Sequence, residues 1–208
     1  MKVAIIGTGN MGSALAAVLA TAGHKVSIAA REQARAKDLA ERVGHGAVAV
    51  ELSKSANDAE VVILAVPYEA LVEAARAAGN LEGKVVIDIS NPITADYKDL
   101  LIGHTTSAAE QLQSAIPGAK VVKAFNTVFA RLLAPEARQS KALQTFIAGD
   151  DTSANELVSS LAKSAGFEPV ESGPLSNSRF IEPIGEMNIH FGYFLGKGPN
   201  VAPAWAAY

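Results

Sequence analysis

Short β-branched runs alternating with alanine-rich stretches of helical spacing constrain this chain more than any other feature. The runs are Val3–Ile6, Lys25–Ala29, Ala47–Val50, Val61–Val66, Val85–Ile89 and Lys120–Ala124. Between the first two, Ala14, Leu15, Val18, Leu19 and Ala22 form one stripe that stops at Gly23, a residue suited to ending a helix. Strands that alternate with crossover helices build a mostly parallel sheet covered on both faces, an α/β, doubly wound architecture. Val61–Val66 is apolar throughout, as a strand buried on both sides must be. Leu143–Ala148, a helix over Ser153–Ala165 and a short run at Glu168–Glu171 extend the pattern.

Composition sets the limits. With 208 residues, 49% of them apolar and 19% charged, the chain is folded rather than disordered and long enough for one substantial core. Nearly a fifth of it is Ala, yet none occurs between Gly166 and Val201. That change divides the chain into residues 1–172 and a small C-terminal helical element, 173–208. The element enters through Gly173-Pro174-Leu175-Ser176-Asn177, continues as a helix over Ser178–Leu195, and ends in a tail with Trp205. A net charge of −3 without a basic run argues against a nucleic-acid partner. The absence of Cys excludes disulfides, thiolate metal sites and thiol nucleophiles. No His, Asp or Glu grouping has metal-ligand spacing. Apolar runs such as Val61–Val66 are far below the ~20 residues of a membrane span, and the N-terminus lacks a signal-peptide pattern. The expectation is a cytoplasmic protein without a membrane partner.

Gly7-Thr8-Gly9-Asn10-Met11-Gly12 follows the first strand and opens the first helix. In that context Gly7 permits a tight turn, Gly9 lets the backbone approach a pyrophosphate, and Gly12 lets helix and strand pack closely. The helix N-terminus offers unpaired N–H groups and partial positive charge to the anion. A dinucleotide loop belongs where strand order reverses, so the sheet should run 3-2-1-4-5-6, with Leu143–Ala148 beyond the sixth strand. An NAD site ordinarily has an acid closing the second strand, to hold the ribose 2′-hydroxyl. Here the strand closes on Ala29-Ala30-Arg31, with Arg35 one turn later. Two guanidinium forks in place of an acid favour a 2′-phosphate, hence NADP(H).

The loop, together with Ala65-Val66-Pro67-Tyr68 and Gly173-Pro174-Leu175-Ser176-Asn177-Ser178-Arg179, resembles the NADP-dependent coenzyme F-420 (8-hydroxy-5-deazaflavin) oxidoreductase family. Lys123-Ala124-Phe125-Asn126-Thr127 also resembles the cytosolic oxidoreductase domain of the six-transmembrane epithelial antigen of prostate metalloreductases. The resemblance implies a Rossmann-type fold, commonly dimeric, that passes hydride between NADPH and a flavin-like ring such as coenzyme F-420, FMN or FAD. It implies that Thr8, Asn10, Met11, Arg31 and Arg35 hold the adenosine phosphates, that Ala65, Val66 and Pro67 border the nicotinamide ribose, and that Ala124 to Asn126 lie near the nicotinamide. Two departures stand out. Ala30 replaces a Ser of the deazaflavin enzymes, and Lys123–Thr127 matches the metalloreductase branch better. The opening residues also look like pyrroline-5-carboxylate reductase, an imine reductase with a long helical dimerisation domain, whereas this chain has one plausible helix after about residue 175. A non-catalytic NADPH-binding redox sensor is a further alternative.

Hydride transfer between two rings is mainly positioning, so no catalytic triad is expected. Asn91 and Pro92 follow the fifth strand, where Asn91 either presents its amide to the nicotinamide ribose or simply makes the turn. Asn126 follows the sixth strand, to bond a carboxamide or acceptor carbonyl or to cap the next helix. Phe191 and Phe194 are candidates for an acceptor-ring wall. His190 lies one turn from Glu186, either as a proton relay or as a packed or dimer-facing residue. Lys123 is read as a cation beside the acceptor or as a rim ion pair.

Overall fold

The computed structural model describes residues 1–138 and 142–206. Its elements in chain order are β1 (Lys2–Ile6), α1 (Asn10–Thr21), β2 (Lys25–Ala29), α2 (Gln33–Val43), β3 (Val48–Ala49), β4 (Val61–Leu64), α3 (Leu71–Ala77) and β5 (Val85–Asp88). They continue with α4 (Ala108–Ala115), β6 (Lys120–Lys123), β7 (Leu143–Gly149), α5 (Thr152–Ser164), β8 (Phe167–Glu171) and α6 (Ser178–Ile189). The helix expected to reach Leu195 changes at His190 into a π-helical turn, His190–Phe194.

The sheet runs β3-β2-β1-β4-β5-β6-β7-β8, so β1 stands at the reversal of strand order, as expected from the glycine loop. Every neighbouring pair is parallel except β6 and β7. Alternate side chains of β1 leave on opposite faces. Val3 and Ile5 join Leu15, Leu39 and Leu161 under α1, α2 and α5, while Ala4 and Ile6 join Leu71, Ala75 and Leu112 under α3 and α4. This is the Rossmann-type doubly wound fold, and it brings the ends of β1, β4, β5 and β6 to one edge.

α6 covers part of that edge, held there by a buried ion cluster. Lys123 Nζ lies 2.7 Å from Asp88 Oδ2 and 2.8 Å from Glu182 Oε1, and donates to the Ser90 carbonyl at 2.7 Å. All three charged side chains are buried. The Glu182 carboxylate also accepts the N–H groups of Ala108 and Ala109 at 3.0 and 3.3 Å, adding to the Ser107 cap on α4. Burial pushes the Glu182 carboxyl up, against the charge and hydrogen bond of Lys123 and the N–H of Ala108. Lys123 is therefore neither an acceptor-facing cation nor a rim ion pair. Its stem passes into the core because its strand is buried on both faces, and its charge finds partners from β5 and α6 there. Outside the cluster, Arg179 of α6 makes a two-point contact with Glu110 of α4, at 2.8 and 2.5 Å.

Removing one member of a buried ion cluster leaves uncompensated charge, at a cost of about 3–5 kcal/mol. Lys123→Met should lose that much in denaturant unfolding at pH 7. With the cation gone, burial holds the Glu182 carboxyl above its unfolded value with nothing from Lys123 to oppose it. The loss should then be full at neutral pH and shrink as pH falls into the carboxylate range. Stability within about 1 kcal/mol of the wild type at pH 7 would contradict a structural role for the cluster.

Candidate functional site

The site begins where β1 turns into α1. Gly7 has φ +119°, and a Cβ there would collide with the Ala65 carbonyl of the β4 end. A Cβ on Gly12 would collide with the Gly7 carbonyl and lie 3.2 Å from Ala65 Cβ, so Gly12 serves helix–strand packing. Gly9 differs, since a Cβ there would meet no protein atom within 4 Å. Its missing side chain leaves room outside the protein, as a pyrophosphate pressed on the backbone requires. α1 also has no side-chain cap and no acid in its first turn, whereas Ser107 caps α4 and Asp151 caps α5. Its free N–H groups and positive end suit an anion. These features fit a bound dinucleotide.

Two hollows flank this loop. The smaller, of about 280 Å³, is lined by Gly7, Thr8 and Gly9, by Arg31 and Arg35, and by Ala65, Val66 and Pro67. Arg35 Nε pairs with Glu32 at 3.0 Å, but both side chains are about two-thirds exposed, so the pair costs little to open. The larger, a cleft of about 1130 Å³, is lined by Asn10 and Met11, by Ile89, Asn91 and Asn126, by the chain from Thr127 to Arg131, and by α6 with its π-helical turn. Most of the residues singled out in the sequence thus meet at these two hollows. Gly12, Pro92 and Ala124 do not line either one, because all three are buried in the packing behind them.

At the back of the cleft two amides pair. Asn126 Nδ2 donates to Asn91 Oδ1 at 2.8 Å and to the Ile181 carbonyl at 3.2 Å, while Asn91 Nδ2 donates to the Asn126 carbonyl at 2.9 Å. Asn126 Oδ1 is buried without a partner, an atom that needs a donor. Asn126 does not cap the next helical turn, Ala130–Leu133, which Phe129 precedes. Phe125, fully buried, takes φ +60° to turn the chain between Lys123 and Asn126. A left-handed Phe costs about 1–2 kcal/mol, held here by the N–H bond to Thr145 Oγ1 at 3.0 Å and an edge-to-face contact with Phe167 at 5.6 Å.

The aromatic side of the cleft is Phe129 edge-to-face with Tyr193 at 5.4 Å, together with Phe194. Phe191 stands outside the lining, 43% exposed, because the wider π turn carries it to the outer surface. His190 Nε2 lies 3.2 Å from Glu186, whose carboxyl is pushed up by burial against the pull of His190. Neither residue lines the cleft, and among its described residues there is no His, Lys, Asp or Glu. Sequence reasoning passed over Phe129, Tyr193, Tyr97, Arg42, Arg131 and Gly185, all in the lining. Only Gly185 and Gly192, glycines inside a helical pattern, carried a local signal. A Cβ on either would come within 3 Å of Asn91 or Phe129 respectively. Among the described residues no helix is long and apolar enough to cross a membrane, and no metal-binding group occurs.

A doubly wound fold with an open glycine loop, two arginines after β2 and an amide-lined cleft defines an NADP(H)-binding oxidoreductase. Residues 2–92 match the family model described as NADP oxidoreductase, coenzyme F420-dependent. The chain is 34% identical over 203 residues to the F420-dependent NADP reductase of Methanothermobacter thermautotrophicus strain Delta H, covering 88% of this chain and 86% of that protein. It belongs to this family. It is also 33% identical over 183 residues to metalloreductase STEAP3 of Rattus norvegicus, where 88% of this chain spans only 36% of the relative. A crystal structure from Arthrobacter sp. FB24, provisionally described as an F420-dependent NADP reductase, superposes with a TM-score of 0.86 at 30% identity, covering 96% of both chains.

The contact of Gly185 with Asn91 yields a direct expectation. An added methyl would lie 2.6–2.9 Å from the Asn91 amide, so Gly185→Ala must displace Asn91 or shift α6. Overpacking of this kind costs about 1–3 kcal/mol. Thermal unfolding should show that loss, with weakened NADP(H) binding in a titration. An unchanged melting temperature and affinity would mean that the amide pair tolerates displacement.

Proposed function

We propose that the protein transfers hydride between NADP(H) and a flat, flavin-like ring acceptor of the coenzyme F-420, FMN or FAD type. The observation that carries this reading is the 1130 Å³ cleft beyond the glycine loop, with amides at its back and aromatic rings at its front. It exceeds the ~300–1,000 Å³ of an ordinary ligand pocket, and so leaves space for a second ring beside a nicotinamide. NADP(H) supplies or accepts the hydride when bound, and the residues supply position. Thr8, Asn10 and Met11 would meet the pyrophosphate, and Arg31 and Arg35 the 2′-phosphate. Ala65, Val66 and Pro67 would border the nicotinamide ribose. Asn126 Oδ1 would accept from the carboxamide, with Asn91 holding Asn126 in place. Residues 173–208 would wall the acceptor, with Phe194 and Tyr193 inside. Phe180, Met187 and Phe191, all exposed, would be covered by a second copy in a homodimer.

Coenzyme choice tests the adenosine end. Charge-assisted hydrogen bonds contribute ~1.5–3 kcal/mol each when shielded, and less when exposed. NADPH should therefore bind on the order of 100-fold tighter than NADH, at 1.4 kcal/mol per tenfold. Arg31→Ala should weaken NADPH far more than NADH, and Ala30→Asp should move the preference toward NADH. Calorimetric titration of both coenzymes against the three proteins measures this. Equal wild-type affinities would make the two arginines a solvated helix start.

Anaerobic oxidation of NADPH tests the acceptor end, with coenzyme F-420, FMN, FAD and riboflavin offered in turn. At least one should be reduced stoichiometrically. Tight NADPH binding with no turnover on any of them would replace this reading with that of a redox sensor.

A further inference from the structure

The cleft carries charge of one sign only. Its described lining contains two charged residues, Arg42 and Arg131, and no acid, in a chain whose net charge is −3. Arg42 is on the last turn of α2, and Arg131 is on the helical turn Ala130–Leu133. These two elements are far apart in sequence, and Asn10, Ser13 and Ala14 of α1 line the same cleft. Among the described residues neither arginine has a carboxylate within ion-pair distance, in contrast to Arg35 and Arg179. Arg31 and Arg35, the guanidinium groups proposed for the 2′-phosphate, lie in the separate smaller hollow. Arg42 and Arg131 therefore remain for a different anion, one that belongs to whatever fills the larger cleft.

We infer that Arg42 and Arg131 form an anion subsite for a phosphate ester on the tail of the ring acceptor. The inference rests on the proposed ring acceptor and deepens it, since it says which acceptors the cleft selects. A guanidinium presents a planar fork matched to phosphate oxygens, and two forks from separate elements can grip one phosphate from two sides. The rest of the lining gives the complementary half of the argument. The amide and aromatic groups recognise a flat ring without regard to its tail, so selectivity between ring-bearing molecules falls to the charged end. An uncharged ribityl chain would leave both guanidinium groups unsatisfied by the ligand.

The test uses the full chain under anaerobic conditions at saturating NADPH, with acceptors in matched pairs. FMN is compared with riboflavin, and coenzyme F-420 with its unphosphorylated 8-hydroxy-5-deazariboflavin core. Within each active pair the phosphorylated member should have a KM about 10-fold or more lower, the change that one to two partly exposed charge-assisted contacts produce. In Arg42→Ala/Arg131→Ala that ratio should fall to about two-fold or less, because the KM of the phosphorylated member rises. Arg131→Glu should invert the preference. Both side chains are exposed, so the variants keep the core intact. Equal KM values within the pairs would overturn the subsite while leaving the ring acceptor standing. A preference that survives the double substitution would overturn the assignment to these two arginines. Turnover with no member of either pair would overturn the acceptor reading and this inference with it.

Discussion

The buried ammonium of Lys123 is the interaction on which the active edge of this sheet depends. Parallel strands in a doubly wound fold end without a hairpin partner, so their last residues must be fixed by something other than a turn. Lys123 does this for β5 through Asp88 and the Ser90 carbonyl, for β6 through its own backbone, and for α6 through Glu182. Glu182 carries the connection on to the first turn of α4. A cluster of one cation and two carboxylates is poor at adding net stability, because desolvation offsets its Coulombic gain. What it supplies is register. Asn91 and Asn126 each follow three residues after a member of the cluster, and their reciprocal amide bonds require both strand ends to be in step.

Backbone strain and close approach then shape what the cluster fixes. Phe125 accepts a left-handed conformation between Lys123 and Asn126, and Thr145 of β7 satisfies its N–H. β7 can do so because it runs antiparallel to β6, with Lys123 opposite Ala148, and so extends past the end of its neighbour. The one reversal of strand direction in the sheet therefore supports the back of the cleft. Gly185 serves the same end from the opposite side, since only hydrogen in place of a side chain lets α6 lie against Asn91.

Much of the fold was legible in the sequence because its signals are local. The glycine loop, the β-branched runs and the helical stripes announce themselves within a dozen residues, and strand order followed from the loop's place at the reversal. β3 shrank from the expected Ala47–Val50 to Val48–Ala49, as an edge strand with one partner can. The burial of Lys123 is not readable from the sequence, because its partners lie 35 and 59 residues away and no periodicity links them. An acid closing the otherwise apolar Val-Val-Ile-Asp strand was the available clue. Asn91 and Asn126 were each singled out, yet their pairing is a tertiary fact. Arg42 and Arg131 carried no signal, since on a helix end and a short turn an arginine reads as solvated surface.

The same distinction separates the two ends of the site. In the smaller hollow the glycine loop and both arginines come from nearby sequence, Gly7 through Arg35, because one β-α-β unit carries them, and the end of β4 at Ala65–Pro67 adds a further wall. The larger cleft is assembled from α1, α2, the strand ends, the segment after β6 and α6, whose positions depend on the buried cluster and the amide pair. On the proposed function, a chain built this way can change its acceptor without changing its coenzyme. Substitutions at Phe129, Tyr193, Arg42 or Arg131 alter the large cleft while leaving the loop, its uncapped helix and Arg31 untouched. Resemblance in the first ninety residues therefore carries coenzyme identity, whereas the acceptor has to be read from groups that only the folded chain brings together.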